Sequence, residues 1–363
     1  MLLHSIKAVM RLVLSGLLFT ASPFLPATNG NVTAPTGPLV VLLYHHVADD
    51  TPAVTSTPVA QFAAHLQYLS EHRFNVIALP EALAKLNQGE SLPPKSVAIT
   101  FDDGYQSIYD NAWPLLKQHQ FPFTIFVTTE PIERRYSAMM TWQQLQEMQQ
   151  QGVTLANHSV SHPHMIALTK DEFQTEVERA QAILQQKLGS TPAKLFAYPF
   201  GEYTKAQAQW LAEAGYHAFA QHSGPLSAAS APQGLPRFSL SGRYASLESL
   251  TLRLNTAAMP VLNQADYDPF HPRAPKQLEF DLKNPPFAMT QLNCFYQGKP
   301  IEQVAFAPKT PTSSIMRVTI TLPSTPAAGR SRVNCTAPTT RQGHYYWHSI
   351  PMFVGPATQQ WPD

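Results

Sequence analysis

The residues that decide the fold are 95–105, KSVAITFDDGY. The first part, Ser-Val-Ala-Ile-Thr-Phe, is apolar and rich in β-branched side chains without polar alternation. A strand buried on both faces reads this way. The run stops at two aspartates and a glycine. Adjacent carboxylates repel, so a chain that keeps Asp102 and Asp103 side by side at a strand end needs positive charge nearby. In parallel α/β folds, sites assemble at the C-terminal ends of strands.

Similar runs lie on either side: PLVVLLYHHV (38–47), FPFTIFV (121–127), VTLAN (153–157), AKLFAYPF (193–200) and YHAFA (216–220). Helical patterns separate them. Thr57 is a candidate N-cap with Pro58 at the first helical position, and Phe62, Leu66 and Leu69 share one face. A second helix starts at Thr141 and stops at Gly152, and a third begins acidic after Thr169 and ends at Gly189. This alternation predicts a parallel α/β fold over residues 38–262, a barrel or a distorted relative of one. Residues 263–284 are proline-rich and read as linker, and 285–363 read as strands divided by Pro, Gly, Ser and Thr. We expect a small all-β sandwich there, immunoglobulin-like in plan.

The 363 residues carry a net charge of +1, and only 13% are charged, which gives no footprint for nucleic acid or an acidic membrane surface. Lys7 and Arg11 precede the apolar run Leu12 to Phe19, so residues 1–30 read as a secretory signal. That run is short for a span of about 20 residues, and no stable membrane span is expected after processing. The protein is therefore expected to be exported, periplasmic or secreted. In that setting the two cysteines, Cys294 and Cys335, can pair as a disulfide.

Three constellations end predicted strands. After Asp102 and Asp103 comes HSVSHP, with His158 and His162 spaced by four. That spacing would put both imidazoles on one face of a helical turn. Two histidines and a carboxylate make a metal site with open positions. The third is FAYPFGEY, where Pro199 and Gly201 shape a turn that can aim the Phe200 N–H into a site. Tyr198 lies in the same turn, and His45 ends the first strand on the same rim.

TFDDGY, HSVSHP and YPFG resemble three signature motifs of the polysaccharide deacetylases, carbohydrate esterase family 4. LLYHHV and FAYPFGEY are most similar to the branch of poly-N-acetylglucosamine deacetylases. The resemblance covers roughly Val40 to Arg243 and implies an irregular (β/α) deacetylase barrel. It implies that Asp103, His158 and His162 hold a divalent metal, zinc by default, with cobalt or nickel possible. Asp102 then matches the base that activates water, and the Phe200 N–H matches an oxyanion donor. The implied reaction is hydrolysis of N-acetyl groups on an N-acetylglucosamine-containing polysaccharide, releasing acetate. An O-acetyl glycan esterase and a non-catalytic envelope sugar-binding protein are the alternatives.

Two departures mark the chain. Ala197 stands where many members carry the arginine that orients the base, and Arg237 in LPRF is our candidate replacement. The late L-x-L-H motif, which supplies a general-acid histidine, is absent; His222 in QHSG is the candidate proton donor. The oligomeric state is not readable from the sequence.

Overall fold

A computed structural model describes residues 37–356 and 361–362; the expected export signal, 1–30, lies outside them. A curled sheet of parallel strands forms the first part. The strand Leu39–Tyr44 pairs with Ser96–Phe101, followed in order by Phe123–Val127, Thr154–Asn157, Leu195–Ala197 and His217–Phe219. The segment 235–239 bridges the two edges of this sheet. Leu235 bonds Ala218 and Ala220 on one side, and Phe238 and Ser239 pair with Leu42 and Leu43 on the other.

The two-residue period of a strand sorts the side chains. Val40, Leu42, Tyr44, Val97, Ile99 and Phe101 face outward, where Phe62, Leu66 and Leu69 of the Val59–Glu71 helix cover them. Leu39, Val41, Ala98, Phe126, Ala156, Ala197 and Phe219 fill the interior of the curl. Counting on by two from Ala98 gives Thr100 and Asp102, and from Ala156 gives His158. The interior face therefore carries its first charged groups just beyond the strand ends.

The helix signals differ in one place. Thr141 and Thr169 each form a capping box, with Gln144 and Glu172, and Gly189 ends its helix at φ 67°. Thr57 is not a cap. It sits in a short strand, its Oγ1 donates to the Leu240 carbonyl at 2.7 Å, and Pro58 takes the cap position without a side-chain bond.

A second, all-β part follows. The strand Gln277–Lys283 pairs antiparallel with Ile315–Thr321, which pairs with Val304–Pro308. A second sheet is built on Gly329–Pro338, flanked by Asn293–Tyr296 and Tyr345–Val354. Leu278, Phe280, Leu282, Val318 and Ile320 from the first sheet pack on Cys294, Val333, Cys335, Ile350 and Met352 from the second. These are the two layers of a sandwich.

Residues 263–284, read as linker, thus contain a sandwich strand. Its signal was the alternation of Leu278, Phe280 and Leu282 with charged residues, masked by the prolines before it. Thr256–Ala258 and Phe270–His271 also join the edge of Tyr345–Val354, so the all-β part is tied directly to the barrel. Cys294 and Cys335 are disulfide-bonded and face each other across neighbouring strands of one sheet, with Cα atoms 4.0 Å apart. An immunoglobulin disulfide joins the two sheets instead, so the likeness stops at the layered plan.

Two stability predictions follow from this part. The disulfide closes a loop of 41 residues. Replacing both cysteines by alanine is expected to cost about 2–4 kcal/mol, measured by denaturant unfolding of the oxidised and variant proteins. Asp281 takes hydrogen bonds from Arg317 and Lys309, which hold its carboxyl down at about 2. An unfolded aspartate titrates at about 3.9. The pair therefore adds stability above about pH 4 and loses it as the pH falls through about 2. Asp281→Asn should lower the melting temperature at pH 7, and the difference from the parent should close by pH 2.

Candidate metal centre

Asp103, His158 and His162 come together at the C-terminal rim of the sheet, with one ligand atom from each within 4.8 Å of the others. Asp103 Oδ1 lies 3.3 Å from His158 Nε2 and 3.4 Å from His162 Nε2. The two imidazoles do not ride on a helical turn, as the spacing suggested. Ser159 and His162 have φ of 69° and 56°, so the chain folds back instead of winding on. Side chains hold this bend. Asn157 accepts from the Ser159 N–H at 2.9 Å, and Ser159 Oγ accepts from the His162 N–H at 3.0 Å. Glu176, on the Lys170–Leu188 helix, takes the N–H groups of Val160 and Ser161 at 2.9 and 3.0 Å. Sequence reasoning missed Glu176, because nothing local links it to a loop 15 residues earlier.

The residues fit a divalent cation. His158 is fully buried, and its Nδ1 donates to the Ala197 carbonyl at 2.8 Å. That bond leaves Nε2 with a lone pair directed toward the aspartates, and Nε2 makes no hydrogen bond. An orphaned nitrogen facing carboxylates is stable only with a cation or proton between them, and the backbone bond at the other nitrogen is how metal-bound histidines are oriented. Burial works against an imidazolium at His158, but Asp102 and Asp103 outweigh it and raise its pKa. At His162 burial dominates, with His158 adding to it, and lowers the pKa to about 4.

Asp102 has a different partner. It is fully buried, and Arg237 clasps it with two bonds of 2.7 Å, Nη1 to Oδ1 and Nη2 to Oδ2. Arg237 is fully buried too, on the segment that bridges the sheet edges. Its Nε donates to the Ala220 carbonyl at 3.1 Å, and its Cζ lies 5.3 Å from the centre of the Phe126 ring. Burial alone would raise the Asp102 pKa, and the Arg237 and His158 charges reverse this and lower it. Asp102 Oδ2 stays 3.9 Å from His158 Nε2, at the margin of the ligand cluster. Ala197 supplies only its carbonyl, to His158, so the guanidinium arrives from the far side of the curl.

Other expected residues fall on both sides of this arrangement. His45 lies within electrostatic reach of Asp102, Asp103 and His162, and its Nδ1 is buried without a hydrogen-bond partner. Tyr105 was missed. It stacks on His46 with ring centres 3.6 Å apart, and burial together with the charge and a hydrogen bond of Asp103 raises its pKa. Phe200 packs against His162 at 4.6 Å, and its φ is 58°, a costly conformation for an aromatic residue. As the second residue of a one-turn 3-10 helix, its N–H has no acceptor inside that helix. A Cβ at Gly201 would stand 2.5 Å from the Gln221 backbone nitrogen, so only glycine fits. Tyr198 is fully buried and donates to the Gln233 carbonyl at 2.9 Å, a structural contact rather than a site contact.

His222 is not brought to the metal cluster. It lines a cleft between barrel and sandwich with Gln264, His348 and Ser349, and that lining includes no member of the cluster. Burial first, then His348, pushes its pKa down to about 3. Position at a strand end was its only credential, and its backbone carbonyl instead accepts the Arg237 N–H at 2.9 Å.

Residues 89–219 match the family model described as polysaccharide deacetylase. That stretch carries a polysaccharide deacetylase domain. A Bacillus subtilis protein named as a polysaccharide deacetylase, YxkH, is 28% identical over 178 residues, 49% of this chain and 62% of that protein. The poly-beta-1,6-N-acetyl-D-glucosamine N-deacetylase of Escherichia coli K12 is 26% identical over 243 residues, 54% of this chain and 36% of that enzyme. The chain thus spans less than two thirds of these curated relatives. Among solved structures, the Streptococcus pyogenes deacetylase PplD in complex with acetate superposes with a TM-score of 0.56 at 26% identity, over 61% of this chain and 99% of that one. The matched region holds Asp102, Asp103, His158, His162 and Phe200; Arg237 lies beyond it.

Arg237→Met is expected to leave a buried, unpaired carboxylate and so to cost about 3–5 kcal/mol of stability. The double variant with Asp102→Asn should recover most of that loss in a double-mutant cycle measured by urea unfolding.

Proposed function

We propose that this protein hydrolyses N-acetyl groups on an N-acetylglucosamine-containing polysaccharide outside the cytoplasm. The carrying observation is the division between the two aspartates: Asp102 is clasped by Arg237, and Asp103 faces two histidines. Asp103, His158 and His162 would hold the divalent ion, and two imidazoles with one carboxylate suit zinc best, with cobalt and nickel also accommodated. When bound, the ion supplies Lewis acidity, lowering the pKa of a water and polarising the acetyl carbonyl.

The chain's own groups do the rest. Asp102, kept ionised by Arg237, stands beside the ligand cluster and takes the proton from the attacking water. The Phe200 N–H donates to the oxygen that gains charge as the carbonyl is attacked. His45, with its buried Nδ1, replaces His222 as the group placed to protonate the departing amine. The amide C–N bond breaks, and acetate and a free amine leave.

The relatives named above support the substrate class. The disulfide supports an oxidising compartment, periplasmic or secreted. No described helix is long and apolar enough to cross a membrane. The assembled base and ligand set weighs against a purely sugar-binding role.

Acetate release from N-acetylglucosamine oligomers tests the reading. We expect release from the metal-loaded protein, its loss with chelator, and a fall of about 10²–10⁴-fold in Asp102→Asn. Absence of acetate from any acetylated glycan would overturn it.

A further inference from the structure

The Phe200 turn is held from the sandwich side as well as from the barrel. Glu202, two residues after Phe200, is fully buried, which for a carboxylate demands partners. It has three. Trp361 Nε1 donates to Oε1 at 2.7 Å, Arg330 Nε lies 3.6 Å from Oε1, and His164 Nδ1 is 2.9 Å from Oε2. Two of these partners return to Phe200. The His164 ring stacks on it with centres 4.1 Å apart and planes at 11°, and the Arg330 guanidinium lies 4.9 Å over its ring. Phe200 in turn meets metal ligand His162 edge-on.

Arg330 is on the Gly329–Pro338 strand, in the sheet where Val333, Cys335 and Ala337 face the sandwich core. By strand alternation Arg330 is on the opposite face, toward the barrel. Tyr203 adds an edge-on contact to Phe353 of the neighbouring strand at 5.9 Å. One side of the Phe200 turn is thus buttressed by groups that the barrel does not supply.

We propose that Glu202 is a positioning residue that couples the sandwich to the reaction: clamped by Trp361 and Arg330, it fixes the left-handed Phe200 turn and, through His164, the loop bearing His162. The physical need is the strained backbone at Phe200. A bulky residue at positive φ persists only where its surroundings over-determine it, and a hydrogen-bond donor for an oxyanion acts only if it is preorganised. The sandwich is on this account a structural part of the catalytic centre and not an appended module. The inference rests on the deacetylase reading for its catalytic consequence, and on geometry alone for the coupling.

The test uses the full-length, metal-loaded protein. Glu202→Gln keeps size and removes the charge, and Trp361→Phe removes only the indole donor. Hydrogen exchange of peptides spanning 196–204 and 158–165 is the primary readout. Both variants should speed exchange in these peptides while the sandwich peptides and the bound metal stoichiometry stay as in the parent. Acetate release should show kcat reduced about 10-fold with KM nearly unchanged, as expected when a transition-state donor is displaced. Exchange at 196–204 as slow as in the parent in either folded variant would overturn the proposal. If Glu202→Gln fails to fold, Trp361→Phe carries the same decision. If the parent protein releases no acetate, the functional reading fails, while the exchange data still decide the coupling.

Discussion

Asp102 and Arg237 are both fully buried and joined by two short parallel hydrogen bonds, and much of the barrel is arranged around that pair. A carboxylate inside a protein is tolerated only when a cation and hydrogen bonds replace its water. Here the cation rides on the segment that ties the last parallel strand to the first. Closing the curl and neutralising Asp102 are therefore one structural event. The guanidinium is itself held by the Ala220 carbonyl and lies against Phe126 and Phe219.

With Asp102 matched to Arg237, Asp103 is left to face His158 and His162. Its φ of 73° turns it away from the strand direction that places Asp102 on the interior face. Ser159, His162 and Phe200 share positive φ values, and all lie at or beside the cluster. Such conformations cost roughly 1–3 kcal/mol each and concentrate where a site fixes its groups before substrate arrives. The fixing contacts are visible: Glu176 on the histidine loop, Asn157 on Ser159, and Glu202 with its partners beside Phe200.

The all-β part changes meaning in this light. Its core follows ordinary alternation and is stapled by a disulfide within one sheet. Its barrel-facing side chains differ, with Arg330 over Phe200 and Trp347 edge-on to Phe238 at 5.6 Å. Tyr345, Tyr346 and Trp347 pair with Thr256–Ala258 and help weld the two parts together.

The strands, the barrel class, the two aspartates and the His158–His162 pair were legible in the sequence because each is local. Buried parallel strands are continuous apolar runs, and a period of two carries the interior face onto Asp102 and His158. The same locality explains the failures. The strand at 277–283 was hidden by neighbouring prolines, and His222 was chosen for its strand end although its side chain faces the sandwich. Arg237 could be named only because Ala197 left a gap in the family pattern; its clasp on Asp102, across 135 residues, is a property of the closed sheet. The contacts of Glu176, Glu202, Arg330 and Trp361 leave no mark on local pattern, because a buried carboxylate selects its partners by distance in space. The sequence by itself determined which groups could do chemistry, and the tertiary structure alone decided which charge answers which.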